Sequence, residues 1–396
     1  MVAHRMTPLL RKILGMNWVL VLTMYGLLIF GVFAIESAAR HLASGGAHYA
    51  GLQKWWIIVG SVVYFGAALT DYRWIRWLGP PFYLVALGMV LRAMQVDDAV
   101  HQLRIGGFSF QPVQVCVAAG IVLTASLLQD LPRLGRLFEA PFAKMAIVGI
   151  LTGIPFLIVV KMGDMGSAIV WLPVALVTMI VAGMPYRHLL LLGLCGMIVL
   201  PIAYFGVLPV ASPRGAERIE LYLDMVQERE VDITGVAYAP YYVSMAVGKA
   251  GWSGIGWNAS AERGSLHAKR FIPWETAHND FIFAVIAEEQ GFRGSLLLIT
   301  AFALLLIQCL FVAFYSRDVS GRVLVAGVVA LFFAHIFENI GMCVLLMPIT
   351  GIPLPLISYS GTFVLITMFL LGLVQSVWIH RKIDRDGGKP ERGFDD

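Results

Sequence analysis

The ionisable residues of this chain gather in one stretch, Phe271 to Gly294, which reads FIPWETAHNDFIFAVIAEEQGFRG. Glu275, His278 and Asp280 lie in its polar first half, and Glu288, Glu289 and Arg293 follow on an apolar helical run that leads into a hydrophobic span. Carboxylates and a histidine are the side chains of proton transfer. At a water–hydrocarbon boundary they are costly, and such groups mark functional sites by default. The plain alternative is a solvated charge cluster on an interfacial turn. Two smaller groups share this character. Asp164, in KMGDMGSA, is either a second boundary acid or the N-cap of the span that follows. His335 and Glu338 are three apart on one helix beside Asn339, which allows a metal pair but favours a hydrogen-bonded contact inside a bundle.

The elements that must hold these groups are membrane helices. The composition is 59% hydrophobic and 14% charged, against roughly 25% charged in soluble domains. Apolar segments stand at 17–35, 55–70, 76–92, 112–128, 141–160, 166–184, 187–207, 293–315, 321–347 and 359–379. Each is long enough, or nearly so, to cross about 30 Å of hydrocarbon as a helix. Continuous apolar runs without polar/apolar alternation argue against a barrel. The expected fold is therefore an all-α polytopic membrane protein of about ten transmembrane helices, one integral membrane domain over 1–396. Cys116, Cys195, Cys309 and Cys343 fall in apolar segments without paired spacing, so they read as packing residues rather than disulfides or a zinc site.

Basic residues alternate between loops. Arg5, Arg11, Lys12, Arg73, Arg76, Arg133, Arg136, Lys144, Arg187, Arg317, Arg322 and the 380–396 tail lie on one side, against Arg40, Lys54, Arg92, Arg104 and Lys161 on the other. The richer side is expected in the cytoplasm with both termini. The long loop 208–279, between the seventh and eighth spans, then lies outside. Within it RIELYLDMVQ (218–227) and Tyr241 to Val247 have helical, interface-seeking patterns, and GKAGWSGIGW (248–257) is either a flexible linker or a substrate-facing loop. A second outer loop, PITGIPLPLISYSG (348–361), puts proline and glycine at membrane depth, where such backbone must line a cavity or be buried in protein.

Five separated motifs carry a resemblance to a known family. HNDFIFAVIAEEQGFRG (278–294), GVAYAPYYVSMAVGKAGWSGIGW (235–257), NIGMCVLLMPITGIPLPLISYSG (339–361), GDMGSA and SFQP occur in the order in which the SEDS family of bacterial peptidoglycan glycosyltransferases has its own. The chain resembles the RodA branch more than the FtsW branch, through the PLP of the third motif. It also departs from the pattern. Gln114 and Val117 stand where the family has an acid and a lysine, Asn279 replaces Thr, Ser360 replaces Gly, and Tyr242 and Val243 replace Gln and Ser.

The resemblance implies an inverting glycosyltransferase of the inner membrane that polymerises lipid II on the outer face during elongation and shape determination. Asp280 matches the family's essential acid, the catalytic base. A positioned carboxylate taking the proton of an attacking hydroxyl contributes roughly 10²–10⁴-fold. Arg218, Lys269, Arg270 or a divalent cation, Mg or Mn, would balance the leaving pyrophosphate. His278, Glu289, Asp164 and Ser358 fall within or beside matched motifs and are expected to contact substrate. The partner the resemblance implies is a class B penicillin-binding protein, with no nucleic acid. A flippase of lipid-linked precursor and an inactive scaffold for a transpeptidase are the alternatives.

Overall fold

The computed structural model describes residues 8–95, 103–105, 108–202, 205–206, 209, 212–259 and 264–381. The helices are α1 (Pro8–Leu14), α2 (Trp18–Ala38), α3 (Gly46–Leu69), α4 (Tyr72–Ile75), α5 (Gly79–Met94), α6 (Pro112–Asp130), α7 (Arg136–Glu139), α8 (Pro141–Met162), α9 (Met165–Ile169), α10 (Trp171–Val181), α11 (Tyr186–Ile202), α12 (Pro213–Val226), α13 (Tyr238–Lys249), α14 (Trp274–Ala277), α15 (Ile282–Tyr315), α16 (Val319–Cys343) and α17 (Gly361–His380). Seven of them, α2, α3, α6, α8, α15, α16 and α17, are long and apolar enough to cross a membrane, and three apolar segments are shorter: α5, α9 with α10, and α11. Together they match the ten expected spans in number and order.

Several boundaries differ from the hydropathy reading. α3 starts at Gly46 rather than 55, because its first turns hold His48, Gln53 and Lys54 and lower the apolar average without ending the helix. α15 starts at Ile282 rather than 293, carrying Glu288 and Glu289 inside a helix where the protein satisfies their charge. α16 stops at Cys343, short of 347. The all-α reading also missed a small antiparallel hairpin, Leu103–Ile105 paired with Phe108–Phe110. The tail from 382 onward, Leu208 and Arg5 lie outside the described residues.

Side chains of α6, α16 and α17 are mostly buried, whereas α3, α8 and α15 keep most of theirs on the outside. Small residues let the inner helices close up, as they do in membranes where shape rather than water drives packing. A Cβ added to Gly372 of α17 would stand 2.6 Å from the Tyr64 carbonyl oxygen of α3, and one added to Gly120 of α6 would stand 2.9 Å from the Trp171 ring of α10. Caps fix the ends. Asn17 accepts from the Leu20 amide at 3.2 Å at the start of α2, and Asp318 accepts from Gly321 at 2.9 Å at the start of α16.

The 248–257 segment is a fitted piece rather than a flexible linker. α15 breaks at Gly291, whose φ of 66° and ψ of −162° leave the helical region. The segment repairs the break: Ile255 and Gly256 donate to the Glu288 and Glu289 carbonyls at 3.0 and 2.9 Å, while Phe292 and Arg293 donate to those of Gly251 and Trp252 at 2.9 and 3.2 Å. Broken helices are tolerated in membranes when neighbouring protein takes over their backbone bonds. The two acids beside the break are fastened too. Glu288 accepts the Leu266 and His267 amides at 2.6 and 3.2 Å, and Glu289 accepts the Ser37 hydroxyl of α2 at 2.5 Å.

Candidate active site

Asp280 sits in the tight turn between α14 and α15. The Thr276 carbonyl accepts from the amides of Asn279, Asp280 and Phe281 at 3.1, 2.9 and 3.2 Å, which curls the chain into this turn. The carboxylate lines a cavity of about 250 Å³ walled by α12 (Arg218, Tyr222), the start of α13 (Ala239, Pro240), Pro273 and Thr276, and the 345–351 loop. Gly351 lies against it: a Cβ there would stand 3.5 Å from Asp280 Oδ2, and its φ of +73° suits glycine. The proline- and glycine-rich 348–361 loop thus lines a cavity through Pro348, Ile349 and Gly351. α12 is held over this cavity by Tyr222, whose hydroxyl donates to the Leu346 carbonyl at 3.1 Å, and by Arg218, whose guanidinium reaches the Ile349 carbonyl at 3.4 Å.

The electrostatics suit proton transfer. Burial, and then the nearby Asp164 carboxylate, push the Asp280 carboxyl up to about 7, and the Arg218 guanidinium opposes them. A base works best when its pKa lies near the working pH, because it is then both available and strong enough to take a proton. Asp164 serves in two ways. It caps α9 by accepting the Ser167 amide at 3.0 Å, and its charge reaches both Asp280 and Glu338. Glu338 of α16 is buried, and neither carboxylate oxygen has a hydrogen-bond partner among the described residues.

The remaining expected site residues lie elsewhere. Glu289 faces α2 through Ser37 and is not part of the cavity wall. Lys269 is exposed outside the wall, and Arg270 lies 4.3 Å over the Trp274 ring and 3.7 Å from Glu275. His278 is buried between Tyr49 and Tyr359, with ring centroids 4.6 and 5.5 Å away, and burial lowers its pKa to about 4, so it is neutral at physiological pH. The Ser358 hydroxyl is consumed internally, donating to the Asn279 carbonyl at 2.5 Å and accepting from the Leu354 amide at 2.8 Å. Of the eight residues expected from the sequence, the fold thus brings Asp280, Arg218 and Asp164 into one electrostatic unit. Gly351, Tyr222 and Thr276 were not anticipated. Only Tyr222, one helical turn after Arg218, left a signal in the spacing.

His335 bonds through Nδ1 to the Leu331 carbonyl of its own helix at 3.0 Å and stacks on Phe363. Among the described residues no group of three His, Cys, Asp or Glu side chains is placed to hold a metal ion. Gln114 and Val117 are both buried in α6, and neither carries a charge. The four cysteines are free, three of them buried and Cys195 exposed.

Comparison with known proteins extends this picture. A family model described as cell cycle protein, covering FtsW, RodA and SpoVE, matches residues 14–383. The chain is 30% identical over 373 residues to the probable peptidoglycan glycosyltransferase FtsW of Trichlorobacter lovleyi, covering 91% of this chain and 92% of that one. It is 28% identical over 335 residues to the peptidoglycan glycosyltransferase MrdB of Escherichia coli, covering 83% and 85%. Among solved structures it resembles a chain of a peptidoglycan synthase complex that coordinates polymerization and crosslinking, with a TM-score of 0.74 at 24% identity over 93% of this chain and 99% of that one. It also resembles the rod shape determining protein RodA of Thermus thermophilus, with a TM-score of 0.64 at 23% identity over 93% and 98%.

Proposed function

Because the chain belongs to the FtsW, RodA and SpoVE family of cell cycle proteins, we propose that it is a peptidoglycan glycosyltransferase of the bacterial cytoplasmic membrane that uses Asp280 as its general base. The observation that carries the assignment is the Asp280 carboxylate itself, lining a cavity with its pKa raised to about 7 by burial and by Asp164. In the reaction, the 4-hydroxyl of an acceptor GlcNAc attacks the anomeric carbon of a lipid-linked donor. The new glycosidic bond forms as the bond to undecaprenyl pyrophosphate breaks, the configuration inverts, and the hydroxyl proton passes to Asp280. The rate gain asked of this step is roughly 10²–10⁴-fold.

Arg218 is the cation of the cavity wall and meets the pyrophosphate. The excess of Lys and Arg on one set of loops supports an outward-facing cavity with both termini in the cytoplasm. A class B penicillin-binding protein as partner is supported by the likeness to a chain of the synthase complex that coordinates polymerization and crosslinking.

The test is direct. The purified protein, alone and with its cognate penicillin-binding protein, is incubated with lipid II and the products are separated by length. Glycan strands from the wild type and none from Asp280→Asn, at equal membrane level and thermal stability, are expected. Strands of wild-type yield from the variant would remove Asp280 from the chemistry.

A further inference from the structure

The turn that carries Asp280 has three successive backbone carbonyls, and each is held by a donor from one 21-residue stretch of chain, 339–359. Tyr359 donates its amide to His278 at 3.0 Å, Ser358 its hydroxyl to Asn279 at 2.5 Å, and Asn339 its side-chain amide to Asp280 at 2.8 Å. Asn339 also donates to the Ile352 carbonyl at 2.7 Å, so one amide group ties the acid-bearing turn to the loop whose Gly351 underlies the carboxylate. Asn339 is fully buried on α16, one of the most enclosed helices, and its two donated bonds satisfy both of its N–H groups.

We infer that Asn339 is a positioning residue for the reaction: its amide sets the height of Asp280 above Gly351 and so holds the carboxylate against the reacting hydroxyl. The inference rests on the reading of Asp280 as general base. The physical argument concerns precision. A turn with its carbonyls bonded only to water keeps several conformations of similar energy, whereas one whose carbonyls are held from a buried helix keeps one. Near-attack geometry tolerates little error, and a displacement of about 1 Å can cost about 10²-fold in rate. Removing the Asn339 donors leaves two carbonyls without partners, and water entering to meet them loosens the turn towards the cavity.

The charges that act on Asp280 come from two elements, Asp164 at the start of α9 and Arg218 of α12; the Asp280 charge in turn acts on the Cys343 thiol of α16, and Glu338 of α16 lies within reach of Asp164. None of these is altered by substituting Asn339, so a change in the titration of activity reports a move of Asp280 itself. Released towards water, Asp280 loses part of the burial that raises its pKa, and the pH at which activity falls off on the acid side moves down.

The experiment uses the full chain with its partner and lipid II. Polymerisation by wild type, Asn339→Leu, Ser358→Ala and, as a control, Thr367→Val is followed from about pH 5 to about pH 9. Thr367 donates only to Phe363 within α17, so its loss is a stability change remote from the site. Asn339→Leu is expected to lower kcat by at least about 10²-fold with KM within about threefold, and to displace the acid limb to lower pH. Ser358→Ala should shift both in the same direction by less, and it carries the test if Asn339→Leu does not fold. Thr367→Val should move neither. Unchanged kcat and an unmoved acid limb in both clamp variants would overturn the inference, and so would equal effects from Thr367→Val. A wild-type profile with no acid limb, or one that survives Asp280→Asn, would instead remove the general-base reading on which it rests.

Discussion

Gly254 and Gly291 meet backbone to backbone where the 251–256 loop crosses the break in α15. A Cβ on Gly254 would collide with the Glu289 carbonyl, and one on Gly291 would collide with the Gly254 amide nitrogen. Both residues have positive φ, 67° and 66°. This seam joins the first half of α15, which follows directly from Asp280, to the 251–256 loop.

The seam should therefore tolerate no side chain on either strand. Gly291→Ala puts a side chain in the essentially glycine-only region of φ 66° and ψ −162°, at a cost of roughly 1–3 kcal/mol before any clash is counted. Thermal unfolding in detergent should show the midpoint falling by several degrees for Gly291→Ala and Gly254→Ala. Gly149→Ala, where the added Cβ meets nothing within 4 Å, should leave it in place or raise it. Equal midpoints for all three would show that the seam is not closed in solution.

The titration of Asp280 has a definite sign. Its folded-state pKa is raised to about 7, so the fold favours the protonated form, and the stability this contributes is present at low pH and lost as pH rises through about 7. Activity behaves oppositely, because only the ionised carboxylate accepts a proton. Asp280→Asn should then be inactive yet more stable than wild type above about pH 7, and the stability difference should shrink towards about pH 4. A variant less stable than wild type at high pH would contradict a desolvated carboxylate.

Two neighbours should move the acid limb of activity in opposite directions. Asp164 raises the Asp280 pKa and Arg218 lowers it. Asp164→Asn keeps an N-cap for α9 and should shift the limb to lower pH, whereas Arg218→Gln should shift it to higher pH and also weaken donor binding. A rate–pH series on the two variants checks this, and shifts of the same sign would dissolve the proposed electrostatic unit.

Glu288 and Glu289 should prove structural. Glu288→Ala removes the acceptor of two backbone amides, Leu266 and His267, and should cost about 1–3 kcal/mol or more. Glu289→Gln keeps a hydrogen-bond partner for Ser37 and should leave the polymerisation rate of the folded protein within about twofold. A loss approaching that of Asp280→Asn would return Glu289 to the reaction.

The proposed orientation of the cavity, facing outward, is checked by labelling. Thr234 is exposed in the long 208–279 loop, whereas Ser265 is buried. With the exposed Cys195 replaced by Ser, Thr234→Cys should react with an impermeant thiol reagent in cells whose outer membrane alone is permeabilised. Reaction only after lysis would reverse the topology.

What the amino-acid sequence determined by itself was whatever depends on local chemistry and on the membrane as solvent. Ten apolar segments in order, helices in place of a barrel, and proline and glycine reserved for a protected loop all follow from the cost of unpaired backbone in hydrocarbon. The motif around Asp280 was legible for the same reason, as an acid where an acid is expensive. Side-chain partners were not legible, because they are set by contacts between distant segments. Glu288, Glu289 and Asp280 lie within nine residues of one another and look alike in sequence. Tertiary structure gives the first two to backbone amides and a serine and leaves the third facing a cavity. Ser358 and His278 likewise became structural once the 339–359 chain folded back on the 278–280 turn. Arg218 and Asp164, 54 positions apart, act on one carboxylate because the tertiary fold brings the start of α9 and the α12 helix within reach of the turn that carries Asp280, and no spacing along the chain records that distance.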